Sequence, residues 1–172
     1  MQDPRSADSL TQRAATASTG RPIVLILNAY GEFLRRPVIE ALDRAGFVAL
    51  PAKDMDDALA TARTKPLGGM VVGLNLQQGP DGVVIESGLS LFARFVTLLG
   101  NPAFAERPIM VTATYQSSRI VVQTESKRHR IKNPILLAAK EDVLSPAFGA
   151  RIREHFSSWA VKDPTDPSRR RS

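Results

Sequence analysis

Cysteine is missing from all 172 residues, which excludes a disulfide framework, a thiolate nucleophile and a thiolate metal site. Long apolar runs are missing too; none approaches the roughly 20 residues that a membrane-spanning helix needs. The first residues, Met1 to Ser6, lack the basic opening and apolar stretch of a secretory signal, so a cytoplasmic protein is expected. Histidine occurs twice, at His129 and His155, and neither has a companion at metal-ligand spacing. No Gly-x-Gly-x-x-Gly or P-loop follows the first apolar run, and no serine sits in a nucleophile elbow. The chain therefore reads as a non-enzyme, with no catalytic residue, no metal and no cofactor.

Acidic residues are in deficit as well. Lys and Arg number 23 against 17 Asp and Glu, a formal charge of +6. That balance favours acidic or nucleic-acid partners. Much of the excess is local: Lys127, Arg128, Arg130 and Lys132 form one cluster, and Arg169 to Arg171 a terminal run. Aromatics make up only 6% of the chain, and Tyr115 alone lies close in sequence to the cluster. A base-stacking platform is poorly served by that.

What is present is a repeated switch between short apolar runs and helical spacing. Residues 1–20 are rich in Ala, Ser, Thr and Gln and read as a disordered leader. Residues 161–172, with two prolines and a basic end, read as a disordered tail. Between them, residues 21–160 form one domain. Ile23 to Leu27 reads as a strand buried on both faces, because it is continuously apolar rather than alternating. A helix follows with Val38, Ala41, Leu42 and Ala45 on one face, and Gly46 stops it. Phe47 to Leu50 is a second strand, and Asp54 N-caps a helix carrying Ala58, Leu59 and Ala62.

Met70 to Leu76 is a third strand, Gln77 to Ser87 a polar loop, and Ser87 the cap of a helix ending at Gly100. Ile109 to Thr112 and Ile135 to Ala139 are the fourth and fifth strands; the stretch between them is left unassigned. The last helix is expected to start at Ser145-Pro146 and to bury Phe148, Ile152, Phe156 and Trp159 along one stripe. Both histidines read as surface residues. Five strands alternating with helices imply a flavodoxin-like α/β fold: a doubly wound five-stranded parallel sheet with helices on both faces. In such a sheet the functional crevice lies at the carboxyl ends of the strands.

Three stretches carry a resemblance. Gly68 to Gln78 (Gly-Gly-Met-Val-Val-Gly-Leu-Asn-Leu-Gln-Gln), Pro108 to Ala113 (Pro-Ile-Met-Val-Thr-Ala) and Leu136 to Lys140 (Leu-Leu-Ala-Ala-Lys) follow one another in order and spacing. They resemble the third, fourth and fifth strands of the receiver domain of bacterial response regulators, over roughly Pro22 to Trp159. The resemblance places Gly73 at the phosphoacceptor position, Asn28 and Ala29 at the acidic pair, Thr112 at the hydroxyl and Lys140 at the phosphate-reading lysine. Gly73 has no oxygen to phosphorylate, and neither Asn28 nor Ala29 is acidic. Asp81, in Pro80-Asp81-Gly82, reads as a turn residue rather than a displaced acceptor.

The resemblance thus implies a degenerate, non-catalytic receiver in a two-component phosphorelay pathway, acting by protein contact without aspartyl phosphorylation. Its partner would be a histidine kinase, a response regulator or another acidic-surfaced protein, with no membrane involved. In receivers the fourth helix, fifth strand and fifth helix commonly bind partners or form a homodimer. Here that face would include Ser118 to Lys132 and the last helix, with Lys127, Arg128, Arg130 and Lys132 as the candidates on it. Non-specific nucleic-acid binding through the same cluster is the alternative.

Overall fold

The computed structural model describes residues 20–27, 32–74, 77–78, 84–113 and 118–160. The expected leader and tail fall outside the described residues, apart from Gly20. Strand β1 (Ile23–Leu27) is buried along its whole length and lies between β2 (Val48–Pro51) and β3 (Leu67–Gly73). Two further strands, β6 (Ile109–Ala113) and β7 (Ile135–Ala139), complete a parallel sheet in the order β2-β1-β3-β6-β7. This is the doubly wound arrangement expected from the sequence. Helix α1 (Glu32–Arg44) packs with α6 (Phe148–Ala160), while α2 (Met55–Thr64), α3 (Gly88–Leu99) and α4 (Arg119–Arg128) pack in succession. A 3₁₀ turn, Pro102–Ala105, follows α3, and a one-turn helix α5 (Lys140–Val143) follows β7.

Local chemistry sets most of the boundaries. Helix α1 ends in a Schellman turn: Phe47 N–H donates to the Leu42 carbonyl and Gly46, at φ 92°, donates to Asp43. Asp54 caps α2 by accepting from Asp57 N–H at 2.8 Å, and Asp57 accepts in return from Lys53 N–H at 2.9 Å. The aromatic stripe of α6 is core, as its spacing predicts. Phe156 meets Phe47 edge-on at 5.9 Å and lies so close to Gly69 that a Cβ there would press its ring. Trp159 donates its indole N–H to Pro108 O at 2.7 Å and packs edge-on against Phe104, which meets Phe95 of α3.

Several expectations need correction. The third strand starts at Leu67 and stops at Gly73, earlier than its apolar run suggests. The Gln77–Ser87 loop contains a small antiparallel pair, β4 (Gln77–Gln78) with β5 (Val84–Glu86). Val84 and Ile85 are β-branched residues of high strand propensity. The last helix begins at Phe148 rather than at Pro146, because Ser145 and Ala147 belong to a turn in which Phe148 N–H donates to Ser145 O. The unassigned stretch holds α4; its apolar residues Ile120, Val121 and Val122 are contiguous, so no helical spacing announces it.

Candidate functional site

The five parallel strands deliver their carboxyl ends to one pole, where Gly73 ends the central strand β3. Gly73 ends β3 and lies in register with Thr112 of β6, which in turn lies beside Ala138 of β7. Thr112 is half-buried, and its carbonyl accepts from Leu74 N–H at 2.9 Å. Lys140 follows directly after β7, as the exposed first residue of α5. The fold therefore brings Gly73 and Thr112 together and sets Lys140 at the same end of the sheet. Asn28, Ala29 and Asp81 lie outside the described residues. Glu32 opens α1.

The N-terminus of α3 closes over this pole. A Cβ added at Gly88 would overlap the carbonyl group of Gly73, so the two backbones touch through glycine alone. Fully buried Ser87 fixes that entry: its Oγ accepts from Ser90 N–H at 3.1 Å and donates to Glu125 Oε2 of α4 at 2.7 Å. Glu125 also meets His129 Nε2 at 3.3 Å and Arg128 at 3.6 Å. The Ser87 hydrogen bond, with smaller help from His129 and Arg128, holds the Glu125 carboxyl below its ordinary range against the opposing effect of burial. His129 is thus not the surface residue expected among cations; its side chain is only 23% exposed and is paired.

His155 is likewise not a surface residue. Its Nε2 meets Ile109 O at 2.9 Å and its ring lies 5.3 Å from that of Phe156. Burial lowers its pKa, and the Ile109 carbonyl opposes that shift.

The basic candidates gather at the end of α4. Lys127 and Arg128 occupy its last turn, where cations complement the helix carbonyls. Arg130 is at φ 55°, the C′ position of a Schellman turn: its N–H donates to Lys127 O, and Ile131 N–H donates to Ser126 O. Lys132 is exposed. Of the four, only Lys127 lines the groove of about 620 Å³ between α4, β7 and α6. Val122, Ile131, Ile135, Leu136 and Leu137 supply its apolar surface, Arg119 shares the α4 wall, and Arg151 faces them, bonded to Asp142 at 2.9 Å. Asp142 also accepts from Ala139 N–H at 3.2 Å. Arg119, Ser126 and Arg151 lie within the expected face of Ser118 to Lys132 and the last helix, although none of them was singled out as a contact residue. Positions 119, 123, 126 and 127 share one side of a helix, a signal readable only once α4 is recognised.

No family model matches the chain, and no curated protein matches it in sequence. Solved structures do match. Chemotaxis protein CheY4 of Vibrio cholerae superposes with a TM-score of 0.55 at 17% identity, over 78% of this chain and 97% of that one. A sensor protein from Polaromonas gives 0.54 at 18% identity, over 81% and 98%. The receiver domain of a Pseudomonas aeruginosa sensor histidine kinase gives 0.50 at 14% identity, over 83% and 99%. The chain has the receiver fold. That Pseudomonas domain holds a magnesium ion in its active-site cleft. The described residues of this chain do not fit such an ion: Gly73 offers no side-chain oxygen, and no three His, Asp or Glu converge. Among the described residues no helix is long and apolar enough to cross a membrane.

Proposed function

We propose that this protein is a receiver-like signalling module that acts by protein contact and is not phosphorylated on its third strand. One observation carries the reading: at the end of β3 two glycines, Gly73 and Gly88, are in backbone contact. Phosphoryl transfer to a carboxylate needs a nucleophilic oxygen, and a carboxylate-held cation to screen the incoming charge. Gly73 supplies no such oxygen. With Gly88 against Gly73 and Ser87 tying the start of α3 to α4, the module presents a fixed surface and does no enzymatic chemistry. That surface is the groove between α4, β7 and α6, with the basic end of α4 beside it. Its charge favours an acidic face on a histidine kinase, a response regulator or another pathway protein.

Treatment with a small phosphodonor and Mg²⁺ should leave the intact mass unchanged; a stable gain of one phosphoryl group would overturn the reading. Capture from host lysate should enrich a signalling protein whether or not nuclease is present. Reversing Lys127, Arg128 and Arg130 to Glu should release it. Enrichment that disappears with nuclease would instead make nucleic acid the partner.

A further inference from the structure

The two edges of the sheet differ in kind. Strand β2, at one edge, is four residues long and ends in Pro51, which cannot donate a backbone hydrogen bond. Strand β7, at the other, reads Ile-Leu-Leu-Ala-Ala with neither proline nor charge, the usual devices that blunt an edge. Among the described residues β7 pairs on one side only, with β6. Its Ile135, Leu136 and Leu137 remain half-exposed and line the groove. Ser126, whose buried Oγ lacks a hydrogen-bond partner, lines it too. An apolar edge with open backbone groups, set inside a groove, is a template for another strand.

Charge decides what kind of strand. Arg119 and Lys127 stand on the α4 wall, while Arg151 opposite is already matched by Asp142. A second copy of this chain docking through the same edge would bring a second set of these cations to the interface. Like charges so placed disfavour that contact. Resting on the reading above that this face is the partner site, we propose that β7 accepts an extended acidic-aliphatic segment of the partner as a sixth strand. Aliphatic side chains of that segment would cover Ile135, Leu136 and Leu137, and its carboxylates would meet Arg119 and Lys127.

The probe is a short synthetic peptide alternating Asp or Glu with Val or Ile, added to the full-length protein. The outward backbone amides of Ile135 and Leu137 should gain protection from hydrogen exchange, since Leu136 and Ala138 already face β6 and Ala139 N–H already donates to Asp142. Edge pairing uses every second amide, so two peptides N-methylated at alternate positions should differ, one binding and the other not. Combining Arg119→Glu with Lys127→Glu should weaken binding about tenfold, mainly through a slower association rate. Unchanged exchange in β7, or equal binding of both methylated peptides, would overturn strand addition. Dimers that protect the same amides without peptide would replace the acidic partner by a second copy. The reading of the face stands apart: if the captured signalling protein is still released by the double reversal, only strand addition has failed. A captured protein indifferent to the reversal would remove both.

Discussion

At the scale of single residues, Arg130 and Gly88 show how position fixes cost. Arg130 has φ 55° at a Schellman C′ position, where glycine is the usual occupant because a Cβ crowds the backbone there. Arg130→Gly should stabilise the fold by about 1 kcal/mol. That would raise the melting temperature by about 2–4 °C, measured by thermal unfolding. If binding to the captured partner falls at the same time, the strained arginine is held for contact rather than for folding. Gly88 is the opposite case. Alanine there would drive a methyl group into the Gly73 carbonyl, backbone against backbone. Gly88→Ala should cost about 3 kcal/mol, read from the denaturant midpoint, unless α3 shifts away from the sheet. The sequence marked both residues only weakly. A glycine at a helix start and an arginine in a basic run each have many commoner explanations.

At the scale of elements, the contacts between helices and strands carry the pH dependence. Ser87 and Glu125 join the start of α3 to α4, and the native carboxyl titrates below its ordinary value of 4.5. A lowered carboxyl contributes stability that is fully present above that ordinary value and is lost as pH falls through the native one. His155, which ties α6 to the start of β6, acts in a higher window. Its native pKa lies below the ordinary 6.5, so between the two values the unfolded chain binds more protons. Stability should therefore fall as the pH drops from about 6.5 toward the native pKa, and flatten below it. His155→Gln should remove the higher step and Ser87→Ala should weaken the lower one, as followed by chemical denaturation across pH. A stability curve flat between pH 7 and the carboxyl range would count against this role for the half-buried His155. These contacts were not legible in advance, because each joins residues 38 or 46 positions apart. Helical and strand periods report which face of an element is apolar, not which neighbour lies opposite. The capping residues Asp54 and Ser87 were legible, because their signal is local: a short polar side chain just before an apolar period. Helix α4 left no periodic signal for the complementary reason, since its exposed Ile120 and buried Val122 lie almost side by side in sequence, and only the resemblance pointed to it.

At the scale of the whole molecule, the order of strands and helices was written in the apolar runs Ile23 to Leu27, Ile109 to Ala113 and Ile135 to Ala139, the first two continuous because both faces of the sheet are covered there, the third although its first three residues are half-exposed. The same runs located the carboxyl pole and put Gly73 and Thr112 on it. What they could not convey is that α3 closes the pole, since a backbone contact between two glycines leaves no pattern in either segment. This distinction gives the strongest test of whether the pole is merely missing one carboxylate. If it were an otherwise intact site, Gly73→Asp would restore phosphorylation. The structure argues otherwise on two counts. Gly73 is buried with its carbonyl against Gly88, and no three acidic or histidine side chains among the described residues converge to hold a screening cation. A carboxylate placed there without a partner also meets a desolvation cost. Gly73→Asp should therefore unfold at lower denaturant than the parent and gain no mass from a small phosphodonor with Mg²⁺. Both readings come from one protein preparation, by chemical denaturation and intact-mass spectrometry. Phosphorylation of that variant at undiminished stability would mean the pole is open and chemically complete but for Gly73, and the fixed-surface account of this protein would give way to a receiver that lost one residue.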